Sequence, residues 1–149
     1  SLDAKKGEGK AEKAVENAAV AEEKVAEKID FSNVKIEPLF EEMIDFDTFA
    51  KADFRAVKIL ECEAVPKSKK LLCSQVKIGK EVKQIVSGIR AHYTAEEMVG
   101  KKVMVLVNLK PAKLAGVLSE GMILCAEDAE GNLALVTPEK NMPAGAEIC

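Results

Sequence analysis

Tryptophan is absent from the chain, Tyr93 is its one tyrosine and His92 its one histidine. A lone imidazole with no partner spacing around it provides neither a zinc ligand set nor a nucleophile and base relay. The four cysteines, Cys62, Cys73, Cys125 and Cys149, lie 11, 52 and 24 residues apart, so no C-x-x-C pair exists and they read as reduced thiols. No motif calls for a metal or a cofactor. No apolar run approaches the roughly 20 residues that a membrane-spanning helix needs, and the N-terminus lacks the basic start and apolar stretch of a secretory signal. The chain therefore reads as soluble and cytoplasmic. Its 149 residues leave room for one domain and an appendage, not for a complete large enzyme.

Charge is scarce only on average. The net charge of -3 argues against a nucleic-acid partner until it is resolved along the chain. Residues 1–42 carry a net -4 and residues 43–54 a net -2, whereas Arg55 to Lys113 carries thirteen basic residues against five acids, a net +8. Leu114 to Cys149 returns to -5. The aromatics are as uneven, because all five Phe fall in the first 54 residues and only Tyr93 follows.

Residues 1–42 are rich in Ala, Glu and Lys with a thin apolar stripe, and read as a linker, partly helical or disordered. Residues 43–149 read as the folded domain. Asp47-Thr48 offers an N-cap for a short helix from about Phe49, and Ile44, Phe46, Phe49 and Phe54 form an apolar cluster that a core or a subunit interface must cover. From Arg55 onward, β-branched runs alternate with turn residues. Six strands are expected: Arg55 to Val65, Leu71 to Ile78, Val82 to Ser87, Val103 to Val107, Met122 to Ala126 and Leu133 to Val136. Gly79-Lys80 predicts a tight hairpin, and Thr94 with Glu97 predicts a capping box for the one helix inside the array. Three strands, a helix, then more strands suit a mainly β, five-stranded Greek-key barrel of the OB-fold type, with a β-sandwich as the competing architecture.

In such a barrel the loop joining the first two strands lies beside the loop joining the fourth and fifth. Here the former is Pro66-Lys67-Ser68-Lys69-Lys70 and the latter starts at Asn108-Leu109-Lys110-Pro111-Ala112-Lys113. Two basic loops would converge on one rim, where each phosphate neutralised contributes about -0.7 to -0.9 to the log-log salt slope. Leu118-Ser119-Glu120-Gly121-Met122 adds a hydroxyl and a carboxylate that could engage ribose or base donors or could finish a turn. Ser87-Gly88-Ile89-Arg90 adds one of the two arginines, either in an ion pair or on phosphate. A nucleophilic Ser119 has no base at a supporting spacing. With little to stack bases on, binding by charge, shape and 2′-hydroxyl contacts fits a folded RNA better than an unstructured strand.

The ordered stretches Phe46-Asp47-Thr48-Phe49-Ala50-Lys51-Ala52-Asp53-Phe54-Arg55, Lys69-Lys70-Leu71-Leu72, Ser87-Gly88-Ile89, Asn108 to Lys113 and Leu118 to Leu124 together resemble one family. It is the tRNA-binding OB domain found at the C-terminus of many methionyl-tRNA synthetases, similar also to the domain of endothelial monocyte-activating polypeptide II. The resemblance implies an OB barrel with an N-terminal helix and a C-terminal β extension, a homodimer formed by the N-terminal helix, barrel surface and extension, and binding to the outer corner of tRNA; separately, the apolar cluster of Phe46, Phe49 and Phe54 predicts a dimer interface there. The tRNA-binding residues the resemblance implies are Lys69, Lys70, Ser87, Arg90, Asn108, Lys110, Lys113, Ser119, Glu120 and Met122. Ala112 departs from the family, where Arg is common.

The resemblance further implies a non-catalytic module that aids aminoacylation, tethered in cis to the catalytic body of a class I ligase that this sequence lacks. Lys67-Ser68-Lys69-Lys70 has the wrong register and context for the synthetase K-M-S-K-S loop. The alternative is the chaperone-like branch of the same fold family, a dimeric OB-fold protein that binds export-competent polypeptides.

Overall fold

The strand β1 (Phe54–Ala64) is long enough to serve two partners in succession. Its first half pairs antiparallel with β4 (Lys102–Leu106) and its second half with β2 (Leu72–Ile78). Lys58 pairs with both, and just beyond it the register with β2 slips between Ile59 and Glu61. A bulge of this kind bends the strand and increases its twist, so the sheet curls. The computed structural model that reveals this describes residues 35–149, and residues 38–149 make up one folding unit. The expected linker over 1–42 therefore falls largely outside the described residues.

β3 (Glu81–Ser87) follows β2 through the two-residue turn Gly79-Lys80, with Gly79 at a φ of 60°, a conformation Gly adopts without steric cost. The resulting sheet has the order β3-β2-β1-β4-β7, with β7 at Met122–Ile123 and a late strand, β10 (Ala146–Ile148), laid against the start of β1. The Glu120 N–H donates to the Gln84 carbonyl at 2.8 Å, bringing the approach to β7 against β3 and curling the sheet into an OB-like barrel. Val57, Ile59, Leu72, Val76, Ile85, Val103 and Val105 fill the interior. Truncating one of the larger of these to Ala would cost about 2–5 kcal/mol.

The helix α2 (Ala95–Met98) forms where the capping box was expected. Thr94 Oγ1 accepts from the Glu97 N–H at 3.2 Å, and Glu97 Oε1 accepts from the Thr94 N–H at 2.9 Å. The helix turns the fully buried Met98 into the core.

Three expectations need adjustment. The first helix, α1 (Phe46–Ala50), starts one turn earlier than Asp47-Thr48 suggested, because Asp45 is the N-cap. Its Oδ1 accepts from the Thr48 N–H at 2.8 Å, and the Thr48 side chain and then this N–H hold the carboxyl below the usual aspartate range. The strand expected over Met122 to Ala126 breaks at Leu124, giving β7 and β8 (Cys125–Glu127), the latter paired with β9 (Leu133–Leu135). Leu124 instead donates to the Met104 carbonyl at 3.0 Å. The hairpin of β5 (Ala112–Leu114) and β6 (Val117–Ser119) was not anticipated, and within the expected C-terminal β extension the strand β10 had no position assigned. Three-residue strands carry too few positions for an alternating pattern to register.

Candidate nucleic-acid interface

The two basic segments share an apolar base. Val65 and Leu71, at the roots of the β1–β2 loop, pack with Cys73 and Val86 against Val117 of β6. This small cluster is separate from the barrel interior and seats the loop beside the β5–β6 hairpin. Lys67, Lys69 and Lys70 are exposed on the loop, and Lys110 and Lys113 on the facing segment. Among the described residues the one ion pair is Arg55 with Asp53, so none of these five ammonium groups is neutralised by a carboxylate.

The β1–β2 loop is braced from within. Val65 donates to the Leu71 carbonyl and Ser68 to that of Val65, both at 3.1 Å, while the Lys70 N–H reaches Ser68 Oγ at 3.2 Å. Arg90 lies against its inner edge. Its Nη1 donates to the Ser68 carbonyl at 2.8 Å and its backbone N–H to the Lys70 carbonyl at 3.2 Å. One face of its guanidinium therefore orders the loop. Gly88 has no positive φ, and a Cβ there would meet only Leu71 Cδ2 at 4.0 Å.

Two expected contact residues, Ser119 and Asn108, use their polar groups internally, and a third, Ser87, buries its hydroxyl. Ser119 is buried, its Oγ accepting from the Val86 N–H at 3.0 Å and donating to the Gly121 carbonyl at 3.1 Å. Ser87 lies opposite Leu72 with its hydroxyl buried and without a partner, so neither serine offers its hydroxyl to a surface ligand. Asn108 is exposed, but its Oδ1 accepts from the Asp53 N–H at 2.8 Å and its Nδ2 donates to the Lys51 carbonyl at 2.7 Å. It clasps the end of α1 to the root of the basic segment. For Ser119 and Asn108 the reason is the same: short polar side chains at strand ends lie within reach of backbone groups left unpaired there. Glu120 is half-buried and Met122 exposed, beside the exposed Leu118 and Leu109.

Gln75 and Gln84, which sequence reasoning passed over, hold the hairpin to the barrel. Gln75 Nε2 donates to Gln84 Oε1 at 2.9 Å, and Gln84 Nε2 to the Leu118 carbonyl at 2.8 Å. Counting outward from the Gly79-Lys80 turn places these two residues opposite each other, so a signal was available. Gly121 completes the seat, since a Cβ there would lie 2.7 Å from the Leu106 carbonyl oxygen. At the hairpin tip Ala115 and Gly116 have φ values of 49° and 80°, the left-handed pair of a type I′ turn.

Away from the rim, Phe46, Phe49 and Phe54 form a row with ring centroids 6.4 and 6.2 Å apart. Phe46 remains 77% exposed, beside Phe40 at 92% and Met43 at 89%. Burial pushes the thiols of Cys62, Cys73 and Cys125 up, which keeps them protonated. No group of three or more His, Cys, Asp or Glu that could hold a metal occurs among the described residues, and no helix there is long and apolar enough to cross a membrane.

Residues 54–147 match the family described as "Putative tRNA binding domain". The chain is 55% identical over 108 residues to methionine-tRNA ligase of Methanococcus aeolicus, a match covering 72% of this chain and 16% of that protein. It therefore spans about a sixth of the length of that relative. Among solved structures, it is similar to a MetRS-related protein of Pyrococcus horikoshii, with a TM-score of 0.69, 36% identity, and 72% of this chain and 99% of that one covered. It is also similar to the chaperone CsaA of Bacillus anthracis, with a TM-score of 0.66, 26% identity, and coverages of 72% and 100%. With most of its folded unit matched to one family and homologous to methionine-tRNA ligases over that region, the chain belongs to the tRNA-binding domain family.

Proposed function

We propose that this chain is a non-catalytic tRNA-binding and dimerisation module of a cytoplasmic methionyl-tRNA synthetase, holding the outer corner of tRNA to aid aminoacylation. The observation that carries this reading is the basic loop Lys67 to Lys70 seated by an apolar cluster against Val117 of the hairpin that carries Lys113, with no carboxylate partners on the lysines. Lys69, Lys70, Lys110 and Lys113 bind phosphates, and Met122 and Glu120 border them. Arg90, Asn108 and Ser119 act mainly by holding these segments in place, and Ser87 by its position at the end of β3. The catalytic body lies in cis, and the module raises the tRNA concentration near it.

Dimerisation is proposed through the exposed row of Phe46 and Phe49 with Phe54 beneath, an apolar surface too extended for a lone monomer to leave in water. Filter binding tests the RNA reading. Lys69→Glu and Lys113→Glu should each weaken tRNA retention, and equal retention by both variants would remove the proposed face. Light scattering showing a monomer at high micromolar concentration would remove the dimer.

The likeness to CsaA supports a second reading, a dimeric module that binds extended polypeptides. The exposed Leu109, Leu118 and Met122 give it an apolar surface beside the basic one. Peptide binding that survives high salt, with tRNA binding absent, would favour it over the first.

A further inference from the structure

Beside the braced loop lies a cavity of about 400 Å³ that the basic rim does not include. Its lining includes Leu72 and Ala95, the carboxylates of Glu63 and Glu96, the thiol of Cys62, and the guanidinium of Arg90. The volume is that of a small-molecule site, and the lining is mixed in a particular way. Leu72 is buried and supplies an apolar floor, while Glu63 and Glu96 are exposed and have no hydrogen-bond or ion-pair partner among the described residues. Both carboxylates act on one point, since their charges add to the burial that raises the Cys62 thiol. Arg90 stands between this cavity and the lysine loop, one nitrogen spent on the Ser68 carbonyl and its other donors open.

A phosphate following the lysines would meet two like charges here and be turned away. A neutral group rich in N–H donors would be accepted. We propose that the cavity takes one unstacked guanine of the bound RNA, its N1–H and N2–H₂ donating to Glu63 or Glu96 and its O6 or N7 accepting from Arg90. Among the four bases, guanine combines adjacent ring and exocyclic donors with an acceptor pair that suits an arginine fork. Unpaired bases splayed from RNA loops are the ordinary targets of such recognition. The one aromatic ring in the lining is that of Tyr93, so edge recognition supplies most of what base stacking gives elsewhere. The inference rests on the RNA-binding reading above.

The test uses the full chain, tRNA and 5′-GMP. Glu63→Gln/Glu96→Gln removes two negative charges from the border of a basic face. If these carboxylates only repel phosphate, the double variant binds tRNA more tightly. If they hold a base, it binds more weakly, by roughly 5- to 150-fold for one lost bidentate base contact, with its melting temperature unchanged. Ala95→Leu narrows the cavity without altering charge and should weaken binding in the same direction. Independently of tRNA, modification of Cys62 by a small thiosulfonate, mapped by mass spectrometry, should slow with millimolar 5′-GMP and not with 5′-AMP. Binding of tRNA by both variants at or above the parent's affinity, or a Cys62 rate indifferent to 5′-GMP, overturns the cavity assignment. A parent chain that does not retain tRNA overturns the reading of the module instead, and the 5′-GMP experiment then decides the cavity alone.

Discussion

Asn108→Ala separates a residue that touches RNA from one that holds the RNA-binding segment. The amide of Asn108 satisfies the Asp53 N–H and the Lys51 carbonyl, at 2.8 and 2.7 Å. Both backbone groups lie at the exit of α1, where a helix leaves carbonyls without intrahelical partners. Each bond is worth about 0.5–1.5 kcal/mol net, and at this exposed position water replaces part of the loss, so truncation should cost about 1–2 kcal/mol. For a unit of this size that lowers the melting temperature by roughly 4–10 °C. Differential scanning calorimetry measures this directly, and filter binding at fixed salt measures the effect on tRNA. The clasp predicts that both change, and that Asn108→Asp, which can accept but not donate, recovers only part of the stability. If Asn108→Ala melted with the parent chain while losing tRNA affinity, its side chain would be an RNA contact and the clasp would be dispensable.

Three further outcomes follow from the same geometry. Reversing both Lys69 and Lys113 should lower the magnitude of the log-log salt slope of tRNA binding by at least about 1.4 to 1.8, because each lost phosphate contact removes about 0.7 to 0.9. An unchanged slope across a salt titration would place the contacts elsewhere. Gly121→Ala puts a Cβ 2.7 Å from the Leu106 carbonyl oxygen, so β7 must shift against β4. The expected loss is about 1–3 kcal/mol in urea unfolding, and a variant as stable as the parent would count against that packing. Asp45 has a folded-state pKa below the ordinary 3.8, through its bond from Thr48, so its contribution to α1 is present above 3.8 and fades as pH falls through the lower folded value. The Thr48 amide resonance should titrate with a midpoint below 3.8 and lose that titration in Asp45→Asn; a midpoint at or above 3.8 would contradict the cap.

The barrel strands were legible because their signals are local. Runs such as Val103 to Val107 are apolar and rich in β-branched residues, Gly79-Lys80 sets the β2–β3 register, and Thr94 with Glu97 caps α2 with side chains three residues apart. The choice of Asp45 over Asp47 as the first N-cap was not legible, since both residue types cap well and only the direction of the preceding chain separates them. Leu124 looked like mid-strand because its neighbours are apolar. It is instead the point where β7 leaves β4 and β8 turns to β9.

The sequence by itself determined that a basic stretch lies between acidic ends, that five of its lysines cluster in two loop segments, and that the chain has almost no aromatic surface for stacking bases. Charge and composition are properties of residues wherever they sit. Only the tertiary structure decided which polar groups face solvent. Ser119 and Ser87 turn inward, Asn108 spans 55 and 57 residues to its partners, and Arg90 reaches back 22 residues to order the lysine loop. A hydrogen bond between residues so far apart leaves no periodic trace, because its partner is chosen by the fold after the strands have paired. The cavity beside Arg90 has the same origin, since its carboxylates come from β1 and α2 and meet only when that helix packs against that strand.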